Sequence, residues 1–451
     1  MKGKVFLVMM IVVLVVFTGC LFDDDGPSDA DKIQAQSKVL EANAEIVTFY
    51  DELQGIEDDS LMLEAVENFD FEAVNVLYNE ALEYDPNNEE ALFGEALSGL
   101  LAISNNEEFN TMMDEFETYF EANPPFEVSG SILGKSLLGM TFKPQKNILL
   151  PTISIEKTTQ LLSKISDADV PQFSEVQELI RTVIIPRINT SITNIQKLES
   201  NSDFSFIVEV AVGDTTINIE FDLTEVYMVD AGLQGMKGEF TTALAYNLDI
   251  ESYDDAGMVT ALTLGSDFLA LNSGGAADLS NAYSAINTGL EKVQSAIDYF
   301  KAETDDQSDD VIPNDDEGIL EGLEDIEEGL EEANQAYTGK VWVDYPYSTI
   351  ADSFQVEIKN IFINPINDFK AMVPPYTVTA GLDTSWYWNG SEEVMDLVSY
   401  YPIITWNQNS YSEWLNAWPD PTFNGIFCNF TTTELEKLMY LSEDDWKKVM
   451  D

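Results

Sequence analysis

The spacing of apolar positions changes several times along the chain, and each change predicts an element. From Asp31 the apolar residues fall at helical intervals, with few Gly or Pro before Pro86. Val74, Tyr78 and Ala81 then share one helix face, and Asp85-Pro86-Asn87-Asn88 ends that helix and caps the next. Further helices are expected over 107–121, stopped by Asn123-Pro124-Pro125, over 155–166, and over 172–199 with a break at Pro186. Between 204 and 221 the period becomes two. Phe204, Phe206, Val208, Val210 and Val212 alternate with other residues, Gly213-Asp214 turns the chain, and Ile217, Ile219 and Phe221 alternate again. That is a β-hairpin. Asp222 and Glu225 open a helix striped by Val226, Val229, Leu233, Met236, Phe240 and Leu244, which the hairpin is expected to cover.

Leu279, Tyr283, Ile286, Leu290, Val293, Ile297 and Phe300, and then Ile319, Leu323, Ile326, Leu330, Ala333 and Tyr337, are spaced by fours and threes. Two such stripes predict an antiparallel helical hairpin with facing seams. Past residue 340 the periodicity fades: Tyr376 to Thr379 reads as a short strand, Ser391-Glu392-Glu393 as a helix start, and 419–425 as a rigid loop. The fold class expected is mainly α, with a small β-hairpin and an aromatic-rich, irregular carboxy-terminal part.

The amino terminus has a pattern of its own. Lys2 and Lys4 precede an apolar run from Val5 to Phe17, which ends in Thr18-Gly19-Cys20. This resembles a bacterial lipoprotein signal, and the resemblance implies cleavage before Cys20, lipid on its thiol and a membrane anchor. The alternative is a retained helix; counted through Phe22 the apolar positions fall just short of the roughly 20 residues a bilayer needs. Asp23-Asp24-Asp25 follows as part of a self-repelling tether. An acidic cluster this close to the cysteine also resembles signals of outer-membrane lipoproteins. Residues 1–19 are thus expected as the signal, 20–32 as an acidic tether, 33–200 as a helical region, 201–340 as the β-hairpin and helical hairpin, and 341–451 as a Trp-rich region.

The segment from Phe71 to Asn88, continuing through Glu90-Ala91-Leu92 and Ala96, resembles the second helix, turn and next first helix of a tetratricopeptide repeat. The resemblance covers about one and a half repeats. It implies either a solenoid groove for a protein segment or a helical packing scaffold.

Composition narrows the chemistry. The 451 residues include 82 Asp and Glu, 21 Lys and Arg and no His, for a charge of 21 − 82 = −61. Without imidazole, Ser-His-Asp and Cys-His relays and His-bound metals are excluded. The charge opposes nucleic acid, which needs cations against its phosphates. The second cysteine, Cys428, lies between aromatic residues and reads as a small apolar side chain, and with Cys20 lipidated no intramolecular disulfide can form. From Glu303 to Glu332 there are 15 acids in 30 positions. An EF-hand register there puts Gly318 sixth but Pro313 first, where a carboxylate is required, so a solvated acidic surface is expected and no metal. No enzyme activity and no cofactor are expected.

All seven tryptophans lie in the last 110 residues. Trp386, Tyr387, Trp388, Trp406, Trp414 and Trp418 are the candidate ligand-binding residues. Asn389 and the Asn407-Gln408-Asn409 amides stand beside them, the combination that stacks a sugar and takes its hydroxyls. The same rings also suit the core of a cap over the helices. The expected partners are therefore a membrane through the Cys20 lipid and an envelope protein, with a glycan or small solute as the alternative.

Overall fold

The computed structural model describes residues 27–54, 68–106, 172–202, 204–212, 215–250, 255–303, 317–344, 353–388 and 393–439, together with 65 and 111. The expected signal and Cys20, the helices over 107–121 and 155–166, the loop acids between 304 and 316, and Trp446 lie outside these residues. The fold is mostly helical, with small antiparallel sheets.

Helix α1 spans Asp29–Gln54, α2 Phe71–Tyr84 and α3 Glu89–Leu101. Helix α4, Phe173–Leu179, runs through a π-helical turn at Ile180–Ile184 into α5, Ile185–Glu199. Strands β1, Phe206–Val212, and β2, Thr215–Phe221, form the expected hairpin, with Phe206 opposite Phe221 and Val212 opposite Thr215. Helices α6, Leu223–Ala243, α7, Asp255–Leu262, α8, Gly275–Ala302, and α9, Glu317–Thr338, follow. Next come β3, Val341–Asp344, β4, Ser353–Val356, α10, Lys359–Ile363, β5, Tyr376–Trp388, and β6, Glu393–Trp406. Helix α11, Tyr411–Asn416, strand β7, Phe427–Cys428, and helix α12, Thr432–Met439, complete the described chain.

The chain divides into two compact units. The first draws on Met1–Thr111, Leu179–Phe240 and Ser284–Glu331, the second on Met112–Glu178, Thr241–Tyr283 and Glu332–Asp451.

In the first unit α1 packs on α2, α2 on α3, and α3 on α5. The α1 seam is Ala35, Val39, Ala42, Ile46, Phe49 and Leu53, all buried at intervals of four and three. Caps set the helix ends, and those at Asp85 and Asn88 are the ones the sequence predicts. Asp70 accepts the Ala73 N–H at 2.9 Å, Asn88 accepts that of Ala91 at 2.9 Å, and the Asp85 N–H closes α2 on the Ala81 carbonyl. Phe204 and Phe221, at the hairpin base, have ring centroids 6.5 and 6.0 Å from that of Phe93 in α3. Ile297, Phe300, Leu323 and Leu330 form the seam of the expected helical hairpin. Helix α9 already starts at Glu317, so Gly318 sits in its first turn and not at the tight bend an EF-hand loop requires.

Two expectations are corrected. Pro186 does not break its helix: it sits in the first turn of α5, directly after the π turn. Proline lacks an N–H and crowds the carbonyl four residues back, and the i+5 pairing of a π turn accommodates both. The segment opened by Ser391-Glu392-Glu393 is not helical either. Residues from Glu393 form β6, paired with β5 from Trp388 opposite Glu393 to Tyr376 opposite Trp406. The Val, Tyr and Ile content of 394–404 favours an extended chain. The short strand expected at Tyr376 is the start of a strand of 13 residues.

The second unit also holds a three-stranded sheet in the order β3-β4-β7, packed by Phe354, Phe430 and Leu435.

Candidate functional site

The aromatic residues of the second unit form a continuous ladder. Tyr376 meets Trp406 edge to face at 5.7 Å, Trp406 meets Trp414 at 5.8 Å, and Trp414 meets Trp418 at 5.6 Å. Trp418 continues to Phe423 at 5.8 Å and Phe423 to Phe427 at 5.5 Å. Perpendicular ring pairs place the positive edge of one ring on the negative face of the next. The ladder forms because the β6 strand ends at Trp406 and the Ser410-capped helix α11 immediately returns Trp414, with Tyr411 stacked at 6.1 Å. Asp420 holds the loop beyond: its carboxylate accepts the Thr422 N–H at 2.9 Å and the Asn424 N–H at 2.7 Å. Burial raises the Asp420 pKa, but the Thr422 hydroxyl, donating at 2.6 Å, and then the two N–H groups outweigh it and hold the carboxyl below its ordinary range.

Of the six candidate ligand residues, Trp406, Trp414 and Trp418 are brought together. Trp414 is only 1% exposed and supports its neighbours, whereas Trp406 and Trp418 are partly open. Trp386, Tyr387 and Trp388 are placed elsewhere. They end β5 opposite Met395, Val394 and Glu393, ten or more residues along the strand from Tyr376, or about 30 Å at a strand's rise. In the ladder segment Trp418 Nε1 and Gln408 Oε1 are buried with no hydrogen-bond partner among the described residues. One is a donor and one an acceptor.

Cys428 is half-buried, with its thiol 3.8 Å from a Glu357 carboxylate oxygen; burial pushes its pKa up, away from thiolate character. Among the described residues no group of three or more Cys, Asp or Glu is placed to hold a metal ion, and no helix is long and apolar enough to cross a membrane.

Sequence reasoning missed a second polar centre, in the first unit. Lys292 of α8 is ion-paired with Glu199, the last residue of α5, and stands 3.2 Å from Asp230 Oδ2 of α6. Asp230 is fully buried, and its Oδ1 accepts from Gln234 Nε2 at 3.1 Å. The signal was present: Asp230 falls four residues after Val226 and three before Leu233, an acid on an apolar stripe. A polar residue in that place needs buried partners.

Comparison of the chain with family models, curated proteins and solved structures finds no match.

Proposed function

We propose that this chain is an envelope lipoprotein, anchored through Cys20 to the outer membrane of a Gram-negative bacterium, which binds or scaffolds a protein partner through tetratricopeptide-like helices and carries out no catalysis. The observation that supports this reading is the succession α1 on α2, α2 on α3 and α3 on α5, each helix meeting the next as in a helical array. In such an array the side chains between helices are fixed, and the outer faces stay available to a partner. The net charge of −61 directs the choice towards a partner with a basic surface. Lipid labelling and crosslinking in intact cells test the two halves separately. A Cys20→Ser chain should lose both the added lipid mass and membrane attachment, and the wild-type chain should recover a defined envelope protein. A wild-type chain without lipid sinks the anchor, and recovery of no protein sinks the scaffold.

A second reading, capture of a glycan or small solute for an outer-membrane transporter, is favoured by the Trp418 Nε1 and Gln408 Oε1 atoms beside partly open rings. A sugar's hydroxyls both donate and accept, so they suit a donor and an acceptor of this kind, and the sugar's apolar face suits Trp406 or Trp418. Oligosaccharide quenching of tryptophan fluorescence that disappears in Trp406→Ala would support capture; no quenching in the wild-type chain would end it.

A further inference from the structure

The β3-β4-β7 sheet of the second unit has two unlike faces. Val343 of β3 stands opposite Phe354 of β4, and Val356 of β4 opposite Phe427 of β7; Phe354, Val356 and Phe427 pack into the cluster of Phe430 and Leu435. Side chains alternate along a strand, so the residues between these point to the other face. There the register sets Trp342, Gln355 and Cys428 in one row across the three strands. Directly opposed side chains in such a row have Cβ atoms about 5 Å apart.

Lys340 and Glu357 extend that face beside the row. The Lys340 ammonium lies 3.8 Å from Glu357 Oε2, and the Cys428 thiol donates to the same oxygen at 3.8 Å. Lys359 pairs with the other oxygen at 3.2 Å, so the carboxylate is fixed by three groups. Trp342 is 68% exposed, the most open large apolar side chain among the described residues. Lys340 is half-exposed, and Gln355 is partly open.

An open indole in this setting fits a sugar better than a protein. A protein interface is centred on a contiguous apolar area with a polar rim, whereas this single ring gives way at once to an amide, an ammonium and a carboxylate. A pyranose uses that mixture. Its apolar C–H face stacks on one flat ring, and the hydroxyls at its edge both donate and accept. Gln355 offers a donor and an acceptor, Lys340 donates and Glu357 accepts. The net charge of −61 opposes an anionic glycan, which leaves a neutral one.

We propose that this sheet face, built on Trp342, Gln355, Lys340 and Glu357, is a binding platform for a neutral glycan. The inference rests on the capture reading above and places the sugar on the β3-β4-β7 sheet instead of beside Trp406 and Trp418. An open face covers only one side of a sugar, so the affinity expected is weak, in the millimolar range.

Saturation-transfer NMR and titration of the full chain with two neutral hexamers, cellohexaose and maltohexaose, test this. Wild type should bind at least one of them. Trp342→Ala should weaken that binding by about tenfold or more, and Gln355→Ala by about three- to tenfold, while Trp406→Ala leaves it unchanged. Trp342→Tyr, which keeps a flat ring, should retain most of it. Because Trp342 is open to solvent, W342A should keep the wild-type circular dichroism and melting temperature. If W342A does not fold, the indole N–H resonance of Trp342 in the wild-type chain, assigned by its loss in W342Y, decides: it should shift on titration, and an unmoved resonance refutes the platform. Binding that W342A leaves unchanged overturns the proposal, and if W406A abolishes that binding the capture reading stands without it. No binding by wild type ends both. Self-association of wild type that W342A abolishes, with neither sugar bound, would make this face an interface between copies and overturn the proposal.

Discussion

The Tyr78 ring of α2 lies against the backbone of Gly94 in α3 so closely that a Cβ at residue 94 would overlap it. The same side chain reaches the other way, its hydroxyl donating to Asn43 Oδ1 of α1 at 2.6 Å. One tyrosine thereby spans three helices. Gly94→Ala is expected to destabilise the chain by about 1–3 kcal/mol, since neither ring nor backbone has space to withdraw. Tyr78→Phe removes only the hydrogen bond and leaves Asn43 Oδ1 to compensate, with an expected cost of about 1–2 kcal/mol. Urea unfolding of both variants should therefore rank the alanine at least level with the phenylalanine. A neutral Gly94→Ala would mean that these helices do not meet as described.

Glu90, in the first turn of α3, gives a pH prediction. Burial pushes its carboxyl up from 4.5 to about 7; the Gln36 amide, which donates to it at 3.0 Å, pulls it down, and Glu89 adds a smaller rise. The folded state then holds a proton that the unfolded chain has released between these two values. This contribution to stability is complete below 4.5 and is lost as pH rises through about 7. Glu90→Gln should gain up to about 3 kcal/mol at neutral pH relative to wild type, with the gain vanishing near pH 4. Thermal melts at several pH values check it; a gain that does not change with pH would assign the effect to something other than this proton.

How much of this was readable from the chain differs by element. The cap at Asn88, the β1-β2 hairpin and the α8-α9 seam follow from local chemistry, because each depends on residues close in sequence or on a repeated spacing. The strand from Glu393 was misread because Ser391-Glu392-Glu393 offers helix-start residues while its pairing partner lies across the turn, in β5. Pro186 was misread because a π turn is invisible in the apolar spacing. The sequence says nothing of how the candidate aromatic residues are placed; Trp388 and Trp406 stand at opposite ends of the β5-β6 pairing. Glu199, Asp230 and Lys292 meet across α5, α6 and α8, and no local spacing links them.

Salt should stabilise the fold. Some of the described ion pairs join elements, as Lys38 of α1 does to Glu80 of α2 and Arg187 of α5 to Glu72 of α2, both at 2.7 Å. Each exposed pair of this kind contributes at most about 1 kcal/mol and weakens in salt. The opposing effect is larger, because a net charge of −61 repels itself throughout and is screened at the same time. The melting temperature is expected to rise by several degrees between about 0.05 and 1 M NaCl. A fall over that range would mean that the cross-helix pairs outweigh the general repulsion.

The aromatic ladder predicts an unequal response to truncation at adjacent rings. Trp414 is almost fully buried and holds Trp406, Trp418 and Tyr411 in place, so Trp414→Ala removes a ring with close partners on three sides. The expected loss is about 3–5 kcal/mol. Trp406 and Trp418 are each partly open and stand beside fewer of these rings, so alanine there should cost less, about 1–3 kcal/mol. Near-ultraviolet circular dichroism separates packing from stability, because rings 5.6–5.8 Å apart couple their transitions while the ladder stays ordered. Trp414→Ala should abolish that coupled signal, whereas Trp406→Ala should leave the part contributed by Trp414 and Trp418. If all three substitutions cost the same and remove the same signal, the rings act as one unit without a central support, and the role given to Trp414 fails.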